Sequence, residues 1–319
     1  MKKLLITGGM GFIGSNFILH IIERYEQYFI YNLDLLTYAA NPRNLSEIEK
    51  LPNYRFVQGD IADPEIVGQI FSEGIDYVIN FAAETHVDRS IQNSRPFVHT
   101  NLAGAQNLLD ASKKHGIAKF VQISTDEVYG SLGATGKFSE SSPLAPNSPY
   151  SSSKAGADLL ALSYHHTFGL PVVISRCSNN YGPRQHTEKW IPTIITKILD
   201  NECIPVYGNG LNVRDWLHVK DHCRAIDFIL HNGKPGEIYN VGGNNERTNI
   251  EIARRILKEM GQSDQLIKFV KDRPGHDWRY AIDASKMKKD LEWEPIYDFE
   301  QGLRETINWY VKSRKENPH

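Results

Sequence analysis

Tyr150 and Lys154 stand four residues apart in the stretch SPYSSSKA. On a helix that spacing puts both side chains on one face. An ammonium beside a phenol stabilises the phenolate, so the pair predicts a tyrosine able to act as a base near neutrality. Y-x-x-x-K alone is common on surface helices, and its weight depends on its company. Upstream, STDEVYG places Thr125, Asp126 and Glu127 directly after an apolar run. Thr125 can hydrogen-bond a substrate hydroxyl. The two adjacent carboxyls have no use in a simple oxidoreductase or an epimerase. They suit an elimination, in which one group takes a proton beside a carbonyl and the other protonates the departing hydroxyl.

A second constellation lies at the start of the chain. Gly8, Gly11 and Gly14, in TGGMGFIG, are spaced G-x-x-G-x-x-G between an apolar run and a helical pattern that opens with Phe12 and Ile13. Glycine removes the Cβ that would hold a pyrophosphate off the backbone, and a helix start offers it unpaired N–H groups. Asp34 ends the next apolar run, where a carboxylate binds a ribose 2′-hydroxyl and repels a 2′-phosphate. NAD is therefore expected rather than NADP. Asp60 and Ile61, after the third run, are placed to flank the adenine.

These groups need a scaffold that gathers strand ends. Apolar runs at 3–7, 29–33, 55–58, 77–82, 120–124 and 172–175 alternate with helical patterns such as 12–24. The alternation predicts an α/β fold, a doubly wound parallel sheet with right-handed crossovers and helices on both faces. The proline-containing stretch 139–153 reads as an ordered active-site loop ahead of a helix over 154–168. Beyond about 175 the pattern changes: helix at 190–199, short strands and turns at 204–215, helix at 222–230, strand at 238–241. Thr248 and Glu251 form a T-x-x-E capping box for a helix through 260. This gives an expected Rossmann-type domain at 1–175, completed by about 215–245, with a smaller interleaved region at 176–214 and 246–319. No internal repeat or heptad run is present.

Composition excludes several classes. With 40% hydrophobic and 23% charged residues the chain can bury a large core, and a net charge of −2 gives no electrostatic reason for a nucleic-acid partner. The three cysteines, Cys177, Cys203 and Cys223, form no C-x-x-C pair. The opening MKKLLITGG reads as a first strand, not a signal peptide, and no apolar run approaches the ~20 residues of a membrane span. A soluble, cytoplasmic protein is expected. His165 and His166 are adjacent, and His218 and His222 lack a clear third ligand, so no metal is expected.

The glycine loop with Y-x-x-x-K resembles the extended short-chain dehydrogenase/reductase family. LTYA, FAAETHVDRSI, STDEVYG, CSNNYGP, Arg214-Asp215-Trp216, YNVGG and DRPGHDWRYAID resemble, nearly end to end, its nucleotide-sugar 4,6-dehydratases. The resemblance implies dTDP-glucose as substrate and tightly held NAD. Tyr150 would take the O4 proton, with Lys154 and Thr125 assisting; Glu127 would remove the C5 proton and Asp126 protonate the C6 hydroxyl. It further implies cofactor contacts from Leu36, Thr37, Ala82, Ala83, Thr100 and Asn180. Implied substrate contacts are Thr85, Asn179, Lys189, Pro205, Tyr207, Arg214, Asn249, Arg273 and His276, with Arg214 on the diphosphate and Tyr207 stacked on thymine. A homodimer packed through helices and a place in deoxysugar synthesis, dTDP-rhamnose among the options, also follow from it. Leu35, Ala40 and Trp190 depart from the family pattern, and the 130–149 segment is short. An epimerase, another nucleotide-sugar dehydratase and a non-catalytic NAD-binding regulator remain as alternatives.

Overall fold

The computed structural model describes residues 1–272 and 276–316. Twelve strands occur among them: β1 (Lys2–Thr7), β2 (Tyr28–Asp34), β3 (Tyr54–Gln58), β4 (Tyr77–Asn80), β5 (Lys119–Thr125), β6 (Val172–Cys177), β7 (Asn179–Tyr181), β8 (Ile204–Tyr207), β9 (Val213–His218), β10 (Ile238–Val241), β11 (Glu246–Thr248) and β12 (Ile267–Val270). Seven form one parallel sheet in the order β10-β6-β5-β4-β1-β2-β3. A parallel sheet covered on both faces needs strands that are apolar throughout. In β1, Leu4 and Ile6 enter the core under helices Phe12–Arg24 and Val219–Asn232. Leu5, between them, enters the opposite core under helices Pro64–Ser72, Ala105–His115 and Pro149–Phe168. The period-two alternation thus feeds two hydrophobic layers.

The smaller region grows from the carboxyl end of β6. There β7 pairs in parallel with β9, and β11 pairs with β9 antiparallel; β8 and β12 form a separate pair. Helices Trp190–Leu199, Asn249–Glu259 and Phe299–Glu316 enclose its core, around Ile194, Trp216, Ile256 and Leu303. The chain returns to the main sheet through helix Val219–Asn232 and β10. Residues 215–218, expected to complete the large domain, lie instead in β9 of the small sheet.

Two local expectations differ from the structure. The helix expected from 154 starts at Pro149, because Ser148 caps it. Ser148 Oγ accepts from Ser151 N at 3.1 Å and Ser148 N donates to Ser151 Oγ at 3.1 Å, with proline at the first helical position. At the other capping site only half the box forms. Thr248 accepts from Glu251 N at 3.2 Å, but the Glu251 carboxylate binds Arg247 and Arg255 at 2.9 and 2.8 Å. Guanidinium groups hold it more strongly than one exposed backbone N–H would. No helix among the described residues is long and apolar enough to cross a membrane.

On the face opposite the carboxyl ends of the strands, Asp227 gathers His20, Tyr25 and His231, at 2.8, 2.9 and 2.8 Å. Burial alone would raise the Asp227 carboxyl; the hydrogen bonds from His20, His231 and Tyr25 overturn that and hold it well below the carboxylate range. His231 is raised, chiefly by its hydrogen bond to Asp227. The Asp227 contribution is present above about pH 4 and lost on acidification, while the His231 contribution is present below about pH 6.5 and lost as pH rises through its folded value. Asp227→Asn should cost about 2 kcal/mol. The gap in melting temperature from wild type should be wider at pH 5.5 than at pH 8.5, as read by calorimetry.

Candidate active site

The strand order reverses between β1 and β4, and there the carboxyl ends of the strands open into a cleft. Gly8 turns the chain out of β1 at φ +68°, where a Cβ would stand 2.7 Å from Ala82 N. Gly14 is under a tighter demand. A Cβ there would sit 2.4 Å from Gly8 O and 2.9 Å from Gly9 Cα, so only hydrogen lets the first helical turn close on the loop. Gly11 begins the helix in extended conformation, with no side chain capping it. Its first turn, with Phe12 and Ile13 on the cleft wall, is open to an anion.

Asp34 lies at the end of β2, almost sealed. Its Oδ2 accepts from Met10 N at 2.9 Å and its Oδ1 from Leu36 N at 2.8 Å, tying the glycine loop to β2. Burial raises the carboxyl and those two bonds oppose it. Among the expected cofactor contacts, Leu36 does not line the cleft. Its φ of 58° turns the N–H to Asp34 and its side chain packs on the core, while Leu35 and Thr37 line the cleft. Asp60, bonded to Ala62 N at 2.8 Å and His99 Nε2 at 2.9 Å, lies on the wall with Ile61, Ala82, Ala83 and Thr100. Asn180 is also there, its amide oriented by His222 Nδ1 at 3.0 Å and Ser178 O at 3.0 Å.

The proton-transfer groups meet where β5 ends. Thr125 caps the short turn Asp126–Tyr129, its Oγ1 accepting from Glu127 N at 3.3 Å and donating to Asp126 Oδ1 at 3.3 Å. Asp126 is 1% exposed and its Oδ2 has no hydrogen-bond partner. Burial first, then the charges of Glu127 and Asp215, push its carboxyl well above the usual range, against the pull of Arg214. Burial thus favours the protonated form of Asp126, while Glu127 is half-buried on the cleft wall.

Tyr150 and Lys154 are both buried and both line the cleft. The phenol differs from expectation. Burial and then the Glu127 charge push it well above its ordinary value, a hydrogen bond with Thr125 being the main opposing influence. Lys154 donates to Ile123 O at 2.6 Å, and its own pKa is lowered by burial. The spacing places the ammonium one turn away, but desolvation of the phenolate outweighs it.

Thr85, Asn179 and Lys189 share the cleft, Lys189 Nζ donating to Thr85 O at 3.0 Å. Pro205, Tyr207, Arg214, Asn249 and His276 do not line it. Tyr207 and His276 face each other edge-on at 6.3 Å, on the β8 side. Asn249 opens a helix, its carbonyl accepting from Trp190 Nε1 at 3.3 Å. Arg214 is buried, donating to Val213 O at 2.7 Å and Asp277 O at 3.0 Å above the Tyr280 ring. Arg273 lies outside the described residues. Sequence reasoning missed Glu188, on the cleft wall. It accepts from Tyr38 at 3.0 Å and lies 3.7 and 3.8 Å from His86 and Arg89, joining three loops. No spacing rule flags a residue whose partners come from two distant segments. His218 caps a helix and stacks on Tyr297, and among the described residues no cluster of three metal-ligand types forms.

The model of the family described as GDP-mannose 4,6 dehydratase matches residues 5–306. The chain belongs to that family. Within it, the chain is similar to a dTDP-glucose 4,6-dehydratase of Xanthomonas campestris pv. campestris (strain B100), at 49% identity over 98% of this chain and 94% of that one. It is also similar to the crystal structure of dTDP-glucose 4,6-dehydratase from Bacillus anthracis str. Ames in complex with NAD, with TM-score 0.93, 52% identity, and 99% and 98% of the two chains covered. The Streptomyces venezuelae enzyme of the same name, with NAD bound, gives TM-score 0.96 at 45% identity, covering 99% of each chain. In this family setting the glycine loop has a direct test. Gly14→Ala should lower stability by about 1–3 kcal/mol, since the Cβ has no room. It should also leave the purified protein with less bound dinucleotide, as measured by release on denaturation.

Proposed function

We propose that this chain dehydrates dTDP-glucose to dTDP-4-dehydro-6-deoxy-glucose, with NAD as bound cofactor. The observation that carries the reading is the sealed Asp126, its carboxyl pushed upward by burial, beside the half-buried Glu127 and next to Tyr150. The glycine loop, the uncapped helix start and Asp34 fit a dinucleotide with a free ribose 2′-hydroxyl. When bound, NAD supplies the reversible hydride acceptor that oxidation at C4 and reduction at C6 require, and its cationic ring opposes the upward push on the Tyr150 phenol. Tyr150 takes the proton from O4, with Thr125 holding the hydroxyl and Lys154 adding positive charge from the next turn. A carbonyl at C4 acidifies the C5 hydrogen, which Glu127 removes. Asp126, whose protonated form burial favours, donates to the C6 hydroxyl so that it leaves as water.

Thr85, Asn179 and Lys189 hold the sugar end in the cleft. Pro205, Tyr207, Arg214, Asn249, Arg273 and His276 serve the nucleotide end from the smaller region. We assign a homodimer. Ser152, Gly156, Leu159 and Ser163 follow one another at helical spacing, partly or fully exposed, and Leu102 packs against Gly156 with Val98 exposed one turn before it. A cytoplasmic location and a role in deoxysugar synthesis, with dTDP-rhamnose as the branch, complete the reading.

Purified protein given dTDP-glucose should yield a product lighter by one water in mass spectrometry. GDP- and UDP-sugars serve as the panel, since the family description names GDP-mannose. Loss of water from another sugar alone would keep the chemistry and reject this base; epimerisation without loss of water would reject both. Glu127→Gln should lower turnover by roughly 10²–10⁴ and abolish incorporation of solvent deuterium at C5. Leu159→Arg should convert the dimer to a monomer in light scattering.

A further inference from the structure

Asp158 and Arg176 form an ion pair sealed from water on both sides, at 0% and 2% exposure, with Arg176 Nε 2.8 Å from Asp158 Oδ2. Such pairs add little to stability, because desolvating two charges offsets their attraction, and apolar residues of similar volume often serve as well. Its position supplies another explanation. On helix Pro149–Phe168, Tyr150, Lys154 and Asp158 follow one another at four-residue steps and share a face. Ser124 of β5 donates to Asp158 Oδ2 at 3.0 Å. Arg176 of β6 donates to Tyr129 Oη at 3.0 Å, its guanidinium 4.9 Å from that ring, and Tyr129 donates to Asn240 Oδ1 of β10 at 2.8 Å. Tyr129 closes the turn that carries Asp126 and Glu127.

We propose that this pair is a positioning device: Asp158 is the counter-charge of Lys154, and Arg176 ties the turn bearing Asp126 and Glu127 to the helix bearing Tyr150 and Lys154. Asp158 Oδ1, buried, accepts no hydrogen bond, while Arg176 and Ser124 both use Oδ2. Lys154 has one backbone acceptor, Ile123 O. Burial lowers the Lys154 ammonium, and the Asp158 charge is the largest influence against it. The other titratable group acting on Lys154 is Cys177 of β6, a thiol pushed up to about 12 and so uncharged near neutrality. Asp158 is itself pushed up by burial and drawn back first by Arg176, then by Lys154.

The catalytic half of the proposal rests on the dehydratase reading; the lysine half does not. In protein labelled with ¹³C at lysine Cε, Asp158→Asn should lower the Lys154 titration midpoint by at least about one pH unit, without any substrate. In turnover of dTDP-glucose, the same variant should lose roughly tenfold or more in kcat. Its alkaline limb should move to lower pH, and KM should change little. Asp158→Leu with Arg176→Met should melt at or above the wild-type temperature while kcat stays low. A wild-type protein that leaves dTDP-glucose untouched, with the midpoint still moved by Asp158→Asn, would overturn the dehydratase reading and keep the counter-charge. An unchanged midpoint with an unchanged pH profile would overturn the positioning role, as would a double variant that melts far lower while Asp158→Asn behaves as wild type.

Discussion

A carboxyl group kept from water at the end of a parallel strand organises this molecule. Asp126 is buried beside Glu127 and near Asp215, so ionising it would put three like charges together where solvent cannot screen them. Burial and those charges push the group toward its protonated form. Thr125 fills one carboxyl oxygen, the other is left without a partner, and Arg214 lies close enough to moderate the field. The seven-stranded sheet provides the place for such an arrangement. Its strand ends are backed by two apolar layers, which exclude water from the turn after β5 while leaving Glu127 at the edge of the cleft.

The same desolvation acts on the other reacting groups with opposite consequences. It pushes the Tyr150 phenol up and the Lys154 ammonium down, toward the neutral form in each case. Burial therefore prepares a site in which charge is scarce and every added charge counts. The Asp158–Arg176 pair fits that logic, since it brings a carboxylate close to Lys154 through a chain of contacts that also reaches the catalytic turn. At the glycine loop the limiting quantity is space instead. Gly14 and Gly8 approach so closely that a single methyl group would separate the helix from the loop.

The smaller region meets the large one through consecutive strands rather than a linker. β7 follows β6 after a single residue, and β9 runs directly into the helix that packs back on the sheet. Residues on β7, such as Asn179 and Asn180, are thereby placed on the cleft wall by the main sheet itself. Tyr207, Asn249 and His276 depend on the second core for their positions.

Periodicity and spacing in the chain were enough to determine the order of strands and helices, the glycine loop, the Tyr150–Lys154 face and the adjacency of Asp126 and Glu127, because each is a local property of a few consecutive residues. Local chemistry also misled in places. The serine-proline stretch conceals a helix start at Pro149, and Leu36 turns inward because its N–H is needed by Asp34. Tertiary structure alone decided that burial pushes Asp126 toward its protonated form, that the phenol is raised rather than lowered, and that Glu188 joins three loops. It also decided that Arg176 reaches Asp158 and that Arg214 lies near Asp126. These outcomes depend on burial and on partners from distant segments, and a sequence read along its length carries no measure of either.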